Sequence, residues 1–407
     1  PTTNAWLRWK TRPNPQPNNL PYPDINPNKT CMKTFAFLAA VACSMGLNAQ
    51  TLQLRQLIPA EHILIGASVN QWIVASDLQL SEHKIDDPSY KLVGTVEQMQ
   101  MELGLLPREF NCVTAENCMK SEVIAPKRGI YDFVLADQFM AYAAKYHLAV
   151  IGHAPIWHSQ CASWICHDDE GNLVNRETLK ANMRNFINTV YGHYRGQIKG
   201  YDVVNEAIMD DGTYRQSDFY KIMGEEFVDW AFQCAHEADP TAELYYNDYS
   251  MAEPAKRATV VQLIRRLKSK GIRIDAVGLQ THIGMDFPEL EEYEQSVKAF
   301  IAEGVDVQLT ETDMSILPNP YTGADVATRF QYTADKDPYR NGLPKKALKA
   351  WQKRYKELFG IVNKYADHVK RVTFWGISDA SSWKNDFPIH GRTDYPLPFD
   401  REGKFKF

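Results

Sequence analysis

The sequence predicts an α/β fold: a single catalytic domain built as a (β/α)8 barrel, or TIM barrel. Eight short apolar runs are spread over residues 51–407, most of them separated by stretches with helical periodicity. Polar and aromatic residues recur directly after these runs, where a barrel carries its chemistry. An open doubly wound sheet is the alternative, but the Gly-rich turn expected after one of its early strands is missing.

The runs fall at 63–67, 110–114, 148–152, 199–204, 243–246, 274–279, 305–310 and 372–375. Helical stretches are read at 133–145, 218–238, 255–270, 291–302 and 348–365, with Gly271 closing the third. The chain has 407 residues, 44% of them hydrophobic and 23% charged, which is enough for one large core. A formal charge of -5 gives no reason to expect nucleic acid or an anionic membrane surface as partner. No CxxC, HxH or HExxH spacing occurs, so no metal or other cofactor is expected. A monomer is expected.

Residues 1–31 are rich in Pro and Asn and lack periodicity, so they read as a leader extraneous to the fold. Residues 32–49 read as a secretory signal peptide: Lys33 gives a positive start, 35–43 is apolar, and Ala49 offers a small residue for cleavage. The product is then secreted or periplasmic. In an alternative reading Cys43 carries a lipid anchor at the cell surface. Beyond Cys31 and Cys43 stand Cys112, Cys118, Cys161, Cys166 and Cys234, an odd number that leaves at least one unpaired within the chain. Cys161 and Cys166 can close a small loop if the protein is exported.

Two glutamates stand out at the strand ends. Glu206 follows Val203, Val204 and Asn205, and Glu311 follows the run 305–310. Strands four and seven of an eight-strand ring lie across its mouth from each other, so the two carboxyls can face one another. Such a pair is the minimal equipment for glycoside hydrolysis: one carboxyl stays protonated, the other ionised. A separation of about 5–5.5 Å would give retention through a covalent intermediate. Asn205 can reach a sugar hydroxyl. Asp313, two residues beyond Glu311, points to the same side of an extended strand and can join His282 in orienting that carboxylate.

At these residues the chain resembles glycoside hydrolase family 10, the (β/α)8 endo-β-1,4-xylanases. The matching segments are IGASVNQ (65–71), FNCVTAENCMK (110–120), IGHAPIWHSQ (151–160), YDVVNEAI (201–208), YYNDYS (245–250), VGLQTHIGM (277–285), LTETDMS (309–315), TFWGISDASSW (373–383) and GRTDYPLPFD (391–400). The resemblance implies Glu206 as acid/base, Glu311 as nucleophile, and Asn205, His282 and Asp313 as their supports. It implies that Glu116, Asn117 and Lys120 hold the sugar two units toward the non-reducing end. His153, Trp157 and Gln280 then surround the sugar being cleaved, with Trp375 and Trp383 as walls that crowd out a hydroxymethyl group. Xylan or a xylo-oligosaccharide is the implied substrate.

The chain departs from the family pattern at Tyr201, Ala154-Pro155, Thr312 and Ala380-Ser381. Soon after Phe399 and Asp400 it also reaches Phe407, where the family continues into a closing helix, so an atypical barrel closure is expected. Three other activities compete: a β-1,4- or mixed-linkage glucanase of the same clan, a non-catalytic polysaccharide-binding barrel, and a metal-dependent hydrolase using His153, His158 and His282.

Overall fold

The computed structural model describes residues 52–70, 73–74 and 95–407. The expected leader at 1–31, the signal segment at 32–49, Cys31, Cys43 and Gln71 lie outside them. Eight parallel strands form the barrel: β1 (Leu64–Val69), β2 (Cys112–Ala115), β3 (Ala149–Gly152), β4 (Gly200–Asn205), β5 (Glu243–Asp248), β6 (Ala276–Leu279), β7 (Asp306–Ser315) and β8 (Val369–Phe374). Each pairs with its neighbours in chain order, and β8 pairs with both β7 and β1, with Leu64 opposite Arg371 and Ala67 opposite Phe374. The sheet is therefore closed, as the eight runs predict.

All the expected strands form, but their ends differ. β7 runs on to Ser315 because the short strand His282–Gly284 pairs with it, His282 lying opposite Asp313. A second short strand, Ile156–Trp157, pairs with the end of β4, Trp157 lying opposite Asn205. Two or three residues are too few to show a period of two, so neither extension is visible in the sequence. Both extensions carry side chains to the mouth of the barrel.

The helices form the outer layer. The stretch expected at 218–238 is two helices, Asp218–Met223 and Glu226–Ala238, broken at Gly224, where φ is 60°. Two further helices, Val96–Glu109 and Arg176–His193, complete the layer. The first starts with a capping box between Thr95 and Gln98, and the second with the Asn175 side chain accepting from the Thr178 N–H.

Tyr201 of β4 turns its ring toward this outer layer rather than the mouth. Its ring stacks on Tyr191 of the Arg176–His193 helix at 3.7 Å between centroids. A Cβ on Gly152 would come within 2.2 Å of the Tyr201 ring, so the glycine makes room for it. The departure at Tyr201 therefore affects strand–helix packing and leaves the mouth untouched.

A polar network fills the barrel below the mouth. The fully buried Arg371 donates to Gln308 (2.9 Å), Thr114 (3.3 Å) and Thr373 (3.1 Å) and lies 3.5 Å from Asp202. It ties β2, β4, β7 and β8 together across the interior. Removing one partner from a buried charge of this kind is costly, so the network constrains how the strands close.

The expected atypical closure is not seen: β1 pairs with β8 as in a complete ring, and the C-terminal segment packs against the outer layer. Phe399 and Phe405 bridge antiparallel. The buried Lys406 ammonium pairs with Asp379 at 2.8 Å and sits over the Trp351 ring of the Lys345–Lys364 helix at 4.1 Å. The small residues of the Ala380-Ser381 departure also have a use. The Ser378 and Ser381 hydroxyls donate to Glu102 Oε1 at 2.5 and 2.6 Å, pinning the loop after β8 to the Val96–Glu109 helix.

Burial pushes Glu102 from its ordinary 4.5 up to about 7, against the pull of the two serine bonds. A carboxyl with a raised folded pKa contributes fully below its unfolded pKa and loses that contribution as pH rises through the folded one. Glu102→Gln keeps an oxygen for both serines and cannot ionise. Between pH 4.5 and about 8 the variant should gain up to about 3 kcal/mol relative to the parent, measured by urea unfolding across pH.

Candidate active site

Backbone pairing puts four strand ends on one level. The Glu206 N–H donates to the Asn247 carbonyl (2.9 Å), that of Gln280 to Asp248 (3.0 Å), and that of Glu311 to Gln280 (2.9 Å). Glu206 leaves its strand with φ at 58°, a conformation that costs a non-glycine residue about 1–2 kcal/mol. Arg215 holds this turn by donating through Nε to the Glu206 carbonyl at 3.0 Å, while its Nη1 reaches Asp325 at 3.1 Å.

The Glu206 carboxyl is buried and takes three side-chain donors. Trp157 Nε1 lies 2.8 Å from Oε2, and Gln280 Nε2 and Asn205 Nδ2 lie 3.0 and 3.2 Å from Oε1. Burial, helped by the negative charges of Asp248 and Glu311, pushes its pKa from 4.5 up to about 7 despite the bonds from Gln280 and Trp157.

The Glu311 carboxyl is equally buried and has the opposite character. Asn247 Nδ2 donates to Oε1 at 2.7 Å, and His282 Nε2 lies 3.2 Å from Oε2. Burial alone would raise its pKa, but the His282 bond, the His153 and His282 charges and the Asn247 bond together hold it below the ordinary value. His282 is fixed from behind by Asp313 at 2.9 Å, and Asp313 takes the Trp383 indole N–H at 2.7 Å and lies 3.6 Å from Lys384 Nζ. Burial would lower His282, yet the Asp313 charge and the bonds to Asp313 and Glu311 raise it, keeping both ring nitrogens protonated over a wider pH range.

The two carboxyls belong to one chain of bonds. Asn247 Nδ2 also donates to Asn205 Oδ1 at 2.9 Å, and Thr310 Oγ1 orients the same amide by donating to Asn247 Oδ1 at 2.6 Å. Asn205, Glu206, Gln280, His282, Glu311, Asp313 and Trp157 thus form one network.

Glu116, Asn117 and Lys120 make a second cluster. Asn117 donates to Glu116 (3.0 Å), Lys120 Nζ donates to Asn117 (3.0 Å) and Gln160 (2.7 Å), and that ammonium lies 4.7 Å from the centre of the Trp157 ring. Trp157 therefore joins the two clusters. His153 is buried with Nδ1 bound to Asp202 at 2.9 Å, and its ring meets Trp375 edge-on at 5.1 Å. Trp375 and Trp383 both meet the His282 ring edge-on, at 6.5 and 4.9 Å, and Trp383 also stacks on Phe387 at 4.4 Å.

All thirteen candidate residues fall in these two joined clusters and their aromatic border. Gln160, Asn247, Thr310, Lys384 and Arg215 complete the arrangement without having been singled out for a role. Asn247 follows an apolar run, and Gln160 ends the matched segment 151–160, so both carried a positional signal. Lys384 and Arg215 gave none.

Residues 89–407 match the sequence model described as glycosyl hydrolase family 10. The chain belongs to this family. It is 52% identical over 299 residues to endo-1,4-beta-xylanase A of Xylanibacter ruminicola, covering 73% of this chain and 81% of that protein. It is 38% identical over 300 residues to a beta-1,4-xylanase of Dictyoglomus thermophilum, covering 73% and 80%. Among solved structures, a family 10 endoxylanase from a sugarcane soil metagenome superposes with a TM-score of 0.78 at 38% identity, covering 86% of this chain and 96% of that one. A psychrophilic family 10 endo-beta-1,4-xylanase gives a TM-score of 0.71 at 32% identity, covering 88% and 96%.

Within this family 10 site, Asp248 acts electrostatically on Glu206. It is fully buried, its Oδ1 pairs with Lys256 at 2.8 Å, and its charge supports the raised pKa of Glu206. Asp248→Asn should lower the Glu206 pKa below about 7, as read from the carboxyl-carbon NMR titration of the labelled glutamate.

Proposed function

We propose that this chain is an endo-acting β-1,4-xylanase that cleaves xylan with retention of anomeric configuration. The observation that carries the reading is the pair Glu206 and Glu311, held in one hydrogen-bonded mouth with opposite proton affinities. Below pH about 7 Glu206 keeps its proton, while Glu311, held below its ordinary 4.5, is ionised. That is the division of labour a double displacement needs.

In the first step Glu311 attacks the anomeric carbon while Glu206 gives its proton to the departing glycosidic oxygen. A glycosyl ester on Glu311 results. In the second step Glu206, now ionised, takes a proton from water, and the water oxygen displaces Glu311 from the anomeric carbon. The net reaction adds one water and restores both carboxyls. Asn205 meets the sugar 2-hydroxyl, and His282 with Asp313 keeps Glu311 ionised and correctly turned. Glu116, Asn117 and Lys120 bind the sugar two units toward the non-reducing end. His153, Trp157 and Gln280 surround the cleaved unit, and Trp375 and Trp383 crowd the space a hydroxymethyl group would need. Such crowding favours xylose over glucose by penalising the wrong sugar.

Export fits the same reading. The apolar run after Lys33 supports a signal peptide at 32–49, with 1–31 as a leader and residues from 51 onward as the mature domain. A lipid anchor on Cys43 is the second route to the cell surface. Among the described residues no helix is long and apolar enough to cross a membrane.

The direct test is product analysis on linear xylan with determination of anomeric configuration. Short xylo-oligosaccharides released first in the β form support the reading, and an α first product or a preference for barley β-glucan over xylan overturns it. Glu311→Ala should reduce turnover to background on every substrate with the fold intact by circular dichroism. Glu206→Ala should lose about 10²–10⁴-fold on xylan but far less on aryl glycosides with good leaving groups, which need no proton. Because Glu206 must be protonated and Glu311 ionised, kcat/KM should fall as pH rises through about 7 and hold down to below 4.5.

A further inference from the structure

Cys161 and Cys166 lie on the loop that carries Trp157 and Gln160 to the site. A single turn of 3-10 helix, Ser163–Ile165, separates them, with the Cys166 N–H donating to the Ser163 carbonyl at 3.1 Å. That turn leaves both thiols lining one cavity of about 700 Å³ that His158, Met209, Tyr214 and Arg215 also border. The same loop is tied to its surroundings at several points. Trp157 donates to Glu206, Gln160 accepts from Lys120, and the Ala162 N–H donates to Ser121 Oγ at 3.0 Å.

We propose that Cys161 and Cys166 form a thiol–disulfide site that closes a six-residue ring and clamps the loop bearing Trp157 and Gln160. The two thiols are free in the structure, which is the reduced form of this site. The required oxidant is a disulfide donor, of the small-molecule or protein kind found outside the cytoplasm. The Cys161 thiolate attacks one sulfur of the donor disulfide, expelling a donor thiolate and leaving a mixed disulfide on Cys161. Cys166 gives up its proton and its sulfur then displaces the second donor sulfur from Cys161. One protein disulfide has formed, and one donor disulfide has become two thiols.

The chemistry favours this pair over the other cysteines. The contact with the Cys166 thiol holds Cys161 below the ordinary thiol value, marking it as the attacking group, and raises Cys166. Cys112 and Cys118 are pushed up by burial to about 11 and 12, and burial also raises Cys234. Cys161 is part-exposed, whereas Cys112, Cys118, Cys166 and Cys234 are buried. The inference goes beyond the hydrolytic reading and does not rest on it, because its first readout is chemical.

The test equilibrates the full chain, folded, with mixtures of oxidised and reduced glutathione. The protein is then denatured and its free thiols are blocked with iodoacetamide, after which disulfides are reduced and newly exposed thiols take a second label. In the oxidised sample the peptide spanning residues 161 and 166 should carry two second labels and no glutathione, while Cys112, Cys118 and Cys234 carry the first label. The oxidised protein should unfold about 3 °C higher than the reduced one. That difference should vanish in both Cys161→Ser and Cys166→Ser. Two first labels on the 161–166 peptide at every ratio, or a stable glutathione adduct on Cys161 with Cys166 still free, would overturn the proposal. So would a disulfide that leaves the unfolding temperature unchanged.

Discussion

The Asn247 side-chain amide joins the two halves of the site. Its nitrogen donates to both Glu311 and Asn205, and Asn205 in turn donates to Glu206. One short row of bonds therefore sets the spacing of two buried carboxyls that would otherwise repel. Burial raises the proton affinity of both, and only Glu311 receives enough compensation to stay ionised. The asymmetry comes from His282, which Asp313 holds in place. A buried polar network of this kind is effective only when each member is satisfied.

The barrel makes that row possible. Parallel pairing from β4 to β7 brings residues far apart in sequence to one level, and the Arg371 network underneath fixes how the ring closes. The two short strands after β3 and β6 matter for the same reason. They carry Trp157 and His282 inward, each paired with the end of an adjacent strand. Two of the departures from the family pattern fall outside the hydrogen-bonded row. Tyr201 packs under a helix, and Ser381 binds the buried Glu102.

The loop after β3 couples several features. Trp157 touches Glu206 and lies under Lys120, Gln160 binds Lys120, and Cys161 and Cys166 follow directly. Motion of this loop would act on the acidic group and on the neighbouring sugar-binding cluster together. A covalent clasp a few residues further along is therefore well placed to preserve the site without adding a contact to substrate.

The sequence by itself determined the barrel class, the eight strands, the glutamate pair and its immediate neighbours. Strand runs and strand-end residues are local patterns, readable from periodicity and order. It also offered Cys161 and Cys166 as a pair able to close a small loop, and the structure holds both as free thiols. Tertiary structure decided what no local pattern encodes. The pairing of two- and three-residue strands and the contacts of Asn247, Lys384 and Arg215 depend on residues tens of positions away. The opposite proton affinities of two chemically identical side chains were settled there as well, because burial and bonded neighbours, not residue type, set the charge each carboxyl holds.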